Sequence, residues 1–371
     1  MEYKKFKPLN VSSKFAICGL PLRADTYKTC SFGCKYCFAN CRVIMEFEKN
    51  IQIANLNWLS NKLDKVYNKN IYKEDNFLDN LLLDRITWHC GGMSDPFQPI
   101  ENNLHITKNM VDITNKYNID ILFSTKTDNL YNTNVRPDLH SFQFSVTNLD
   151  NRKDIEPNVT SIEKRYKLYK DLKTDGFKVG IRVQPFLPTI TKPDIIELFH
   201  DADYFTIEGI KIVPQNKEHK DYILKLLNMS QDNFTQMGLL NLKPEIRLKL
   251  YSDFIEKLNY YNIPFSIADN DLHYISSGSC CCGDPLIKKS TNFNNTSLIK
   301  CYGCNYNLED VQDNLGNYKN CRCNTLFTSN RTEGCTTVEE FYNKRFERKS
   351  SPFSPKFQYI NKDNVKPDSN K

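Results

Sequence analysis

Three cysteines lie close together in the stretch Thr29-Cys30-Ser31-Phe32-Gly33-Cys34-Lys35-Tyr36-Cys37-Phe38. Three residues separate the first two cysteines and two residues separate the second pair, so a short loop can direct all three thiolates at one small group. Thiolates are soft ligands that suit iron–sulfur clusters and zinc. A cubane cluster has one more iron than this loop has cysteines, so one iron stays open to another molecule. The spacing therefore predicts such a cluster.

A structural zinc site is the alternative interpretation of the same cysteines. It would need a fourth ligand, which Cys41 is placed to supply. Zinc sites usually combine a C-x2-C pair with a second pair far along the chain, whereas this loop has three cysteines in one run. The pattern therefore favours the iron–sulfur cluster.

The cysteine content of the whole chain points to metal ligation rather than to disulfides. The chain has 371 residues, of which 14 are cysteine, and it begins without an apolar signal segment. No stretch reaches the ~18 apolar residues of a membrane span, so we expect a cytoplasmic protein with no membrane partner. Thiols stay reduced in that compartment. The net charge of +6 permits a polyanionic partner without requiring one.

Strand and helix patterns alternate through the first two thirds of the chain. Predicted strands cover residues 85–90, 119–124, 142–147, 177–183, 204–207 and 263–267. Predicted helices cover residues 52–67, 104–117, 161–175, 194–200, 218–227 and 244–260. This alternation predicts an α/β fold, a partial (β/α) barrel in which the reactive groups lie at the C-terminal ends of the strands.

The chain divides into four predicted parts. Residues 1–22 are an N-terminal extension, 23–269 the partial barrel, 270–348 a Cys-rich metal-binding module and 349–371 a polar, flexible tail. The module has ligand-like cysteine spacings, which predict either a second iron–sulfur cluster or zinc. Its predicted metal ligands are Cys281, Cys282, Cys301, Cys304, Cys321 and Cys323.

The cysteine loop is similar to the signature of the radical S-adenosylmethionine (SAM) superfamily. Beyond the loop, the chain resembles the spore photoproduct lyase-like branch, often labelled DNA repair photolyase-like. The resemblance spans about residues 20–215. It is carried by residues 22–27, 91–101, 125–127, 144–147, 155–157 with Arg165, and 182–188.

The resemblance implies a radical SAM partial barrel and a set of cofactor-binding residues. Cys30, Cys34 and Cys37 would hold a [4Fe–4S] cluster, its open iron would bind SAM, and an electron donor such as a flavodoxin or ferredoxin would reduce it. The implied SAM-binding residues are Gly91, Gly92, Ser94, Asp95, Lys126, Ser145, Glu156 and Arg182. Glycines allow a close backbone approach, and the two cations can neutralise the SAM carboxylate.

The resemblance also raises the question of a catalytic hydrogen donor. In spore photoproduct lyases a cysteine precedes the Ser-Asp of the segment that corresponds to residues 91–101, but here Gly92 or Met93 occupies that position. Cys90, slightly upstream, is the candidate donor, although a strand cysteine is more often a buried apolar residue. This departure puts thymine dimer repair in doubt.

Three functions are open at this point. The first is a radical SAM enzyme, of unknown subclass, that abstracts hydrogen from a nucleic acid or nucleobase. The second is a radical SAM enzyme that modifies a peptide, protein or small metabolite with the help of an auxiliary cluster. The third is a non-enzymatic, zinc-stabilised nucleic-acid-binding protein, in which both cysteine groups are structural.

The metal content of the purified protein distinguishes these three hypotheses. The triple variant Cys30→Ala/Cys34→Ala/Cys37→Ala should lose about four irons per chain after anaerobic reconstitution, because its cluster has no ligands. Iron, sulfide and zinc are measured per chain in wild type and variant. About eight irons that fall by half would indicate two clusters. Zinc without iron in the wild type would contradict the enzyme prediction.

Overall fold

Strands and helices alternate along the chain in the computed structural model, which describes residues 3–12, 15–43, 51–303, 305–322 and 335–346. The described strands are β1 (Lys4–Phe6), β2 (Leu9–Val11), β3 (Leu22–Ala24), β4 (Gln52–Ala54), β5 (Trp88–Cys90), β6 (Ile121–Thr125), β7 (His140–Ser145), β8 (Lys178–Phe186), β9 (Phe205–Gly209), β10 (Lys211–Ile212), β11 (Phe234–Met237), β12 (Leu239–Leu242) and β13 (Phe265–Ile267). The described helices are α1 (Phe38–Val43), α2 (Leu56–Leu63), α3 (Phe77–Leu83), α4 (Glu101–Leu104), α5 (Ile106–Asn115), α6 (Ile162–Thr174), α7 (Asp194–Leu198), α8 (Lys217–Leu227), α9 (Pro244–Tyr260), α10 (Asn295–Tyr302), α11 (Leu308–Leu315) and α12 (Val338–Phe346). The predicted α/β class is confirmed.

The largest sheet contains eight strands in the order β13-β9-β8-β7-β6-β5-β3-β2. Every neighbouring pair is parallel except β2 and β3. Strand order follows chain order from β3 onward, as in a (β/α) barrel, so the sheet is consistent with the predicted partial barrel. All six predicted strands lie in this sheet.

Several helices differ from their predicted bounds. The helix predicted from residue 52 begins at Leu56, because the Asn55 side chain accepts a hydrogen bond from Trp58 N (3.0 Å) and caps it. Residues 52–54 form β4 instead and pair with β1. The helix predicted over 104–117 is interrupted at His105, which has a left-handed φ of 51°. Among the described helices, none combines the length and apolar character that a bilayer crossing requires.

The two faces of the large sheet differ in chemistry because successive strand residues point to opposite sides. One face carries apolar side chains that pack on helices, as Phe144 packs against Tyr169 of α6. The other face, which we call the polar face, carries buried hydrogen-bonding side chains. These include His89, Ser124, Gln143, Arg182 and Thr206.

Residues 280–291, which we call the crossing segment, run across the polar face. Hydrogen bonds to its first carbonyls come from Ser266 Oγ to Cys280 O (3.2 Å), Thr206 Oγ1 to Cys281 O (2.9 Å) and Gln143 Nε2 to Cys282 O (3.2 Å). Further along, the Lys288 and Lys289 amides each donate to Thr87 Oγ1 (3.2 Å), just before β5. The crossing segment therefore contacts the sheet from β13 to β5 and satisfies polar groups along the way.

An aromatic cluster joins the sheet region to the C-terminal residues. Phe15 and Phe77 pack edge to face with ring centroids 5.0 Å apart, and Phe77 lies 5.1 Å from Tyr318. Phe341 of α12 lies 5.0 Å from Phe15. One hydrophobic core thus includes residues on both sides of the boundary predicted at residue 270, and the four-part division stays a prediction.

Arg247 of α9 fixes the segment after β13 against the end of β9. Its guanidinium pairs with Asp269 (3.1 Å) and Asp271 (2.5 Å), and all three side chains are buried. Asp269 also accepts a hydrogen bond from the Gly209 amide (3.1 Å), at the end of β9. Burial alone would raise the pKa of Asp269, but Arg247 and Lys211 outweigh it and hold the pKa below its usual value.

Replacing Arg247 should destabilise the whole fold. Arg247→Met leaves two buried carboxylates without their cation, so the free energy of unfolding should fall by about 3–5 kcal/mol. Lys167→Met is the matched control, because it removes an exposed ion pair with Asp171 (2.7 Å) and should change little. Denaturant unfolding of both variants measures the difference, and equal stability would contradict the role of Arg247.

Candidate cofactor site

The cysteine loop, residues 29–38, is held in place by hydrogen bonds from two other segments. The Gln98 side chain accepts from Ser31 N (2.8 Å) and donates to Thr29 O (2.8 Å). On the other side, Asn158 Nδ2 donates to Ser31 O (2.9 Å), and Lys35 N donates to Ile155 O (2.9 Å). The loop conformation is therefore set before any ligand binds.

The three predicted cluster ligands, Cys30, Cys34 and Cys37, line one cavity of about 170 Å³. Burial raises the pKa of the Cys30 and Cys34 thiols to about 12. A metal must therefore displace a proton from each of these thiols when it binds. Three soft ligands from one loop fit an iron–sulfur cluster with an open iron, and the cavity gives that iron space for a further ligand.

Gly91 brings the backbone of this cavity close to a neighbouring strand. Its φ of 101° lies in the region that side chains rarely adopt, and a Cβ there would lie 2.1 Å from Ser124 O. Gly92 differs, because a Cβ would meet only the flexible end of Arg23, at 3.2 Å. Both glycines line the cavity, but only Gly91 is required by the backbone geometry, and their contacts with SAM stay predictions.

Lys126 and Glu156 form an ion pair in the cavity wall, with Lys126 Nζ 2.8 Å from Glu156 Oε1. The same carboxylate accepts a short hydrogen bond from the Tyr36 hydroxyl in the cysteine loop. Burial alone would raise the pKa of Glu156, but Lys126 and Arg165 reverse the shift, and the pKa is lowered. Glu156 is therefore held as a charged carboxylate that links the loop to the end of β6.

Asp95 and Ser94 lie in the cavity wall but already have protein partners. Asp95 accepts from Thr125 Oγ1 (2.8 Å) and from Lys126 N (2.6 Å), and burial raises its pKa to about 6. Ser94 Oγ donates to Tyr27 O (2.5 Å). Both residues thus hold the strand ends around the cavity, and their predicted contacts with SAM stay predictions.

A second cavity, of about 390 Å³, adjoins the first along the polar face. Arg182 lines it and donates to Glu208 Oε2 (2.9 Å), while Lys211 pairs with the same carboxylate. Gly91, Ser145 and Gln184 are among the residues that line both cavities. The two spaces are therefore parts of one polar chamber at the C-terminal ends of the strands.

Sequence reasoning missed several polar residues of this chamber. Glu208 lies in β9 and Lys211 in β10, and His89 lies two residues before Gly91. His89 contacts Arg23 through Nδ1 and Ser124 Oγ through Nε2 (2.8 Å). The signal was present, because residues two apart on a strand share a face, and Gly91 therefore implies that residue 89 faces the site.

Cys90, the predicted hydrogen donor, points away from the chamber. Its backbone pairs with Ala24 and Phe123 on the neighbouring strands, and its fully buried thiol lies on the apolar face of the sheet. Burial raises its pKa well above the ordinary thiol value. This placement speaks against hydrogen donation by Cys90.

The predicted ligands of the C-terminal module are not all together. Cys281 and Cys282 line the second cavity, beside Cys280. Cys301 is exposed on α10, and the buried Cys321 thiol accepts from Asn80 Nδ2 (3.3 Å) near α3. Cys304 and Cys323 lie outside the described residues. Among the described residues, Cys281 and Cys282 thus lie apart from Cys301 and Cys321, and the ligand set of the module stays a prediction.

Comparisons with solved structures show which known fold this chain resembles. A variant of spore photoproduct lyase superimposes with a TM-score of 0.52 over 72% of this chain and 81% of its own, at 15% sequence identity. The fold is similar to that of spore photoproduct lyase. A second variant, with bound AdoMet and dinucleoside spore photoproduct, gives a TM-score of 0.51 over 67% of this chain and 76% of its own, at 15% identity. The resemblance predicted from the motifs is thus confirmed as a likeness of fold.

One sequence relative is an uncharacterized protein, so its name suggests no activity. An uncharacterized protein of Methanocaldococcus jannaschii is 25% identical over 236 residues, which cover 60% of this chain and 82% of the relative. No protein-family model matches the chain.

The contrast between the two glycines gives a direct test of the cavity geometry. Gly91→Ala should lower the free energy of unfolding by at least about 1–3 kcal/mol, because it combines an unfavourable φ with a backbone clash. Gly92→Ala should be tolerated, since only a flexible side chain must move. Thermal and denaturant unfolding measure both, and a Gly91→Ala protein as stable as Gly92→Ala would contradict the geometry.

Proposed function

We propose that this protein is a radical SAM enzyme. A [4Fe–4S] cluster on Cys30, Cys34 and Cys37 would reductively cleave bound SAM, and the resulting 5′-deoxyadenosyl radical would abstract hydrogen from a substrate. The observation that carries the proposal is that three thiols of one anchored loop share a cavity with the Gly91 backbone at the strand ends.

The residues of this chain would bind and orient SAM rather than carry out the bond cleavage. Gly91 leaves room for a close approach to the backbone, and Lys126 Nζ supplies a positive charge beside the cysteine loop. Glu156 keeps Lys126 in place, so a SAM carboxylate would join an ion pair that is already formed. The electron would come from a partner such as a flavodoxin or ferredoxin.

For the substrate we favour a nucleic acid or nucleobase. Support comes from the likeness of fold to spore photoproduct lyase, which has been solved with a dinucleoside photoproduct. The second cavity offers donors and acceptors for a polar ring: Arg23, His89, Gln184 and Asp25 line it. Asp25 Oδ1 has no hydrogen-bond partner among the described residues, and burial raises the pKa of this carboxyl to about 6.

The two rival functions make different demands on the structure. Modification of a peptide, protein or small metabolite would use the same SAM chemistry with another occupant of the second cavity. A zinc-stabilised nucleic-acid-binding protein needs neither a backbone position like Gly91 nor buried ion pairs around a cavity at the strand ends. The buried, charged chamber therefore supports an enzyme.

Cleavage of SAM tests the proposal directly. Reconstituted wild-type protein, reduced with dithionite under anaerobic conditions, should form 5′-deoxyadenosine and methionine, measured by liquid chromatography. The Cys30→Ala/Cys34→Ala/Cys37→Ala variant should form none, whereas Cys301→Ser, at an exposed thiol, should match wild type. A fully loaded cluster that yields no 5′-deoxyadenosine would overturn the proposal.

The substrate class has its own test. Single-stranded DNA or a thymidine dinucleotide should raise the rate of 5′-deoxyadenosine formation several-fold. Stimulation by peptides alone would overturn the substrate assignment only.

A further inference from the structure

Three consecutive cysteines bring their sulfur atoms together at the floor of the second cavity. The Sγ atoms of Cys280, Cys281 and Cys282 all lie within 4.8 Å of one another. The chain turns here, and Gly283 N donates back to Cys280 O (3.0 Å). Gly283 has a φ of 97°, and a Cβ there would lie 2.6 Å from the Tyr204 ring, so the turn needs glycine to close. A tight turn thus converges three thiols that an extended chain would point to alternate sides.

A fourth thiol reaches this turn from the far end of the sequence. Cys18, which precedes β3, lines the second cavity together with Cys281 and Cys282, although its sulfur lies outside the 4.8 Å group. Its neighbour Gly19 packs so closely that a Cβ would lie 3.0 Å from Cys280 Sγ. The contact is fixed by Thr291 N, which donates to Gly19 O (2.9 Å). Cys18, Cys280 and Cys282 are buried, and Cys281 is half-buried.

We propose that Cys18, Cys280, Cys281 and Cys282 form a four-thiolate site for a single divalent metal ion, best suited to zinc. Four thiolates are a common ligand set of structural zinc sites, which are tetrahedral. With a Zn–S bond of about 2.3 Å, the sulfur atoms of such a site lie about 3.8 Å apart. The three sulfurs of the turn need only a small contraction to reach that spacing, whereas a cubane cluster would spread its ligands over separate irons.

The surroundings of the four thiols suit the negative charge of such a site. Arg23 Nη2 lies 3.4 Å from Cys18 Sγ, and the Arg182 charge acts on Cys282. The carbonyls of the three consecutive cysteines are held by Ser266, Thr206 and Gln143 of the polar face. Hydrogen bonds to the backbone carbonyls and the two nearby arginines therefore preorganise the ligands, as metal sites require.

A metal ion held by these four thiolates would have a structural role in the chamber. It would have no open coordination position, so it would tie the N-terminal segment to the crossing segment. Cys281 and Cys282 line the second cavity, so the ion would fix part of its wall. The site needs no [4Fe–4S] cluster. It shares Cys281 and Cys282 with the predicted module, and Cys18 and Cys280 take the place of the other four predicted ligands.

Cobalt binding to a cluster-free protein tests the site. Full-length Cys30→Ala/Cys34→Ala/Cys37→Ala protein, reduced and stripped of metal, is titrated with Co²⁺ under anaerobic conditions. One Co²⁺ per chain should bind, with the intense d–d and thiolate charge-transfer bands of a tetrahedral site, and Zn²⁺ should displace it. Adding Cys18→Ser or Cys281→Ser should weaken binding at least ~10-fold in chelator competition, whereas Cys301→Ser should not. Binding that survives Cys18→Ser, or no tetrahedral spectrum, would overturn the proposal.

Wild-type protein provides an independent measurement should the triple variant fail to fold, which circular dichroism would report. Zinc X-ray absorption on the reconstituted wild type should show four sulfur neighbours at about 2.3 Å. Eight irons without zinc would overturn the proposal in favour of a second cluster. A disulfide between any of the four cysteines, found by mass spectrometry after rapid alkylation of the isolated protein, would also overturn it. Neither result depends on whether SAM is cleaved.

Discussion

Hydrogen bonding on the buried polar face of the sheet constrains the rest of this structure. A polar group that is removed from water without a partner costs free energy, so each buried strand residue on this face needs a donor or acceptor. Thr206 and Gln143 find theirs in the carbonyls of the crossing segment, and His89 finds its partners in Arg23 and Ser124. The polar chamber is the part of this face where cavities remain between the described residues.

Charge in the chamber is balanced before any ligand arrives. Lys126 is paired with Glu156, and Arg182 and Lys211 share Glu208. An anionic ligand such as a carboxylate would enter a network whose geometry is already fixed, so little side-chain reorganisation would accompany binding. A ligand with only a negative group would compete with Glu156 or Glu208 for the cation that it contacts. The network therefore favours ligands that bring both a negative and a positive group, as an amino acid does.

The sequence predicts the local features of the site, but it misses the contacts between residues that lie far apart in the chain. The cysteine loop and Gly91 were recognisable because their spacing is short and their residue types are distinctive. Cys90 was predicted as a hydrogen donor from its reactive residue type, whereas the two-residue alternation of a strand places His89 on the polar face. The position of Cys18 and Cys281 in one cavity has no local signal, since hundreds of residues separate them and only the complete sheet brings them together.

The crossing segment also has a consequence for how the protein is made. Residues 280–291 follow every strand of the large sheet in the sequence, so they leave the ribosome after the sheet is complete. Until then Gln143 and Thr206 lack their carbonyl partners, and the Tyr204 ring lacks the turn at Gly283 that packs on it. Domains usually fold from the N-terminus during synthesis. Here the polar face of the complete sheet would stay uncovered, and therefore open to solvent, until residues 280–291 have left the ribosome.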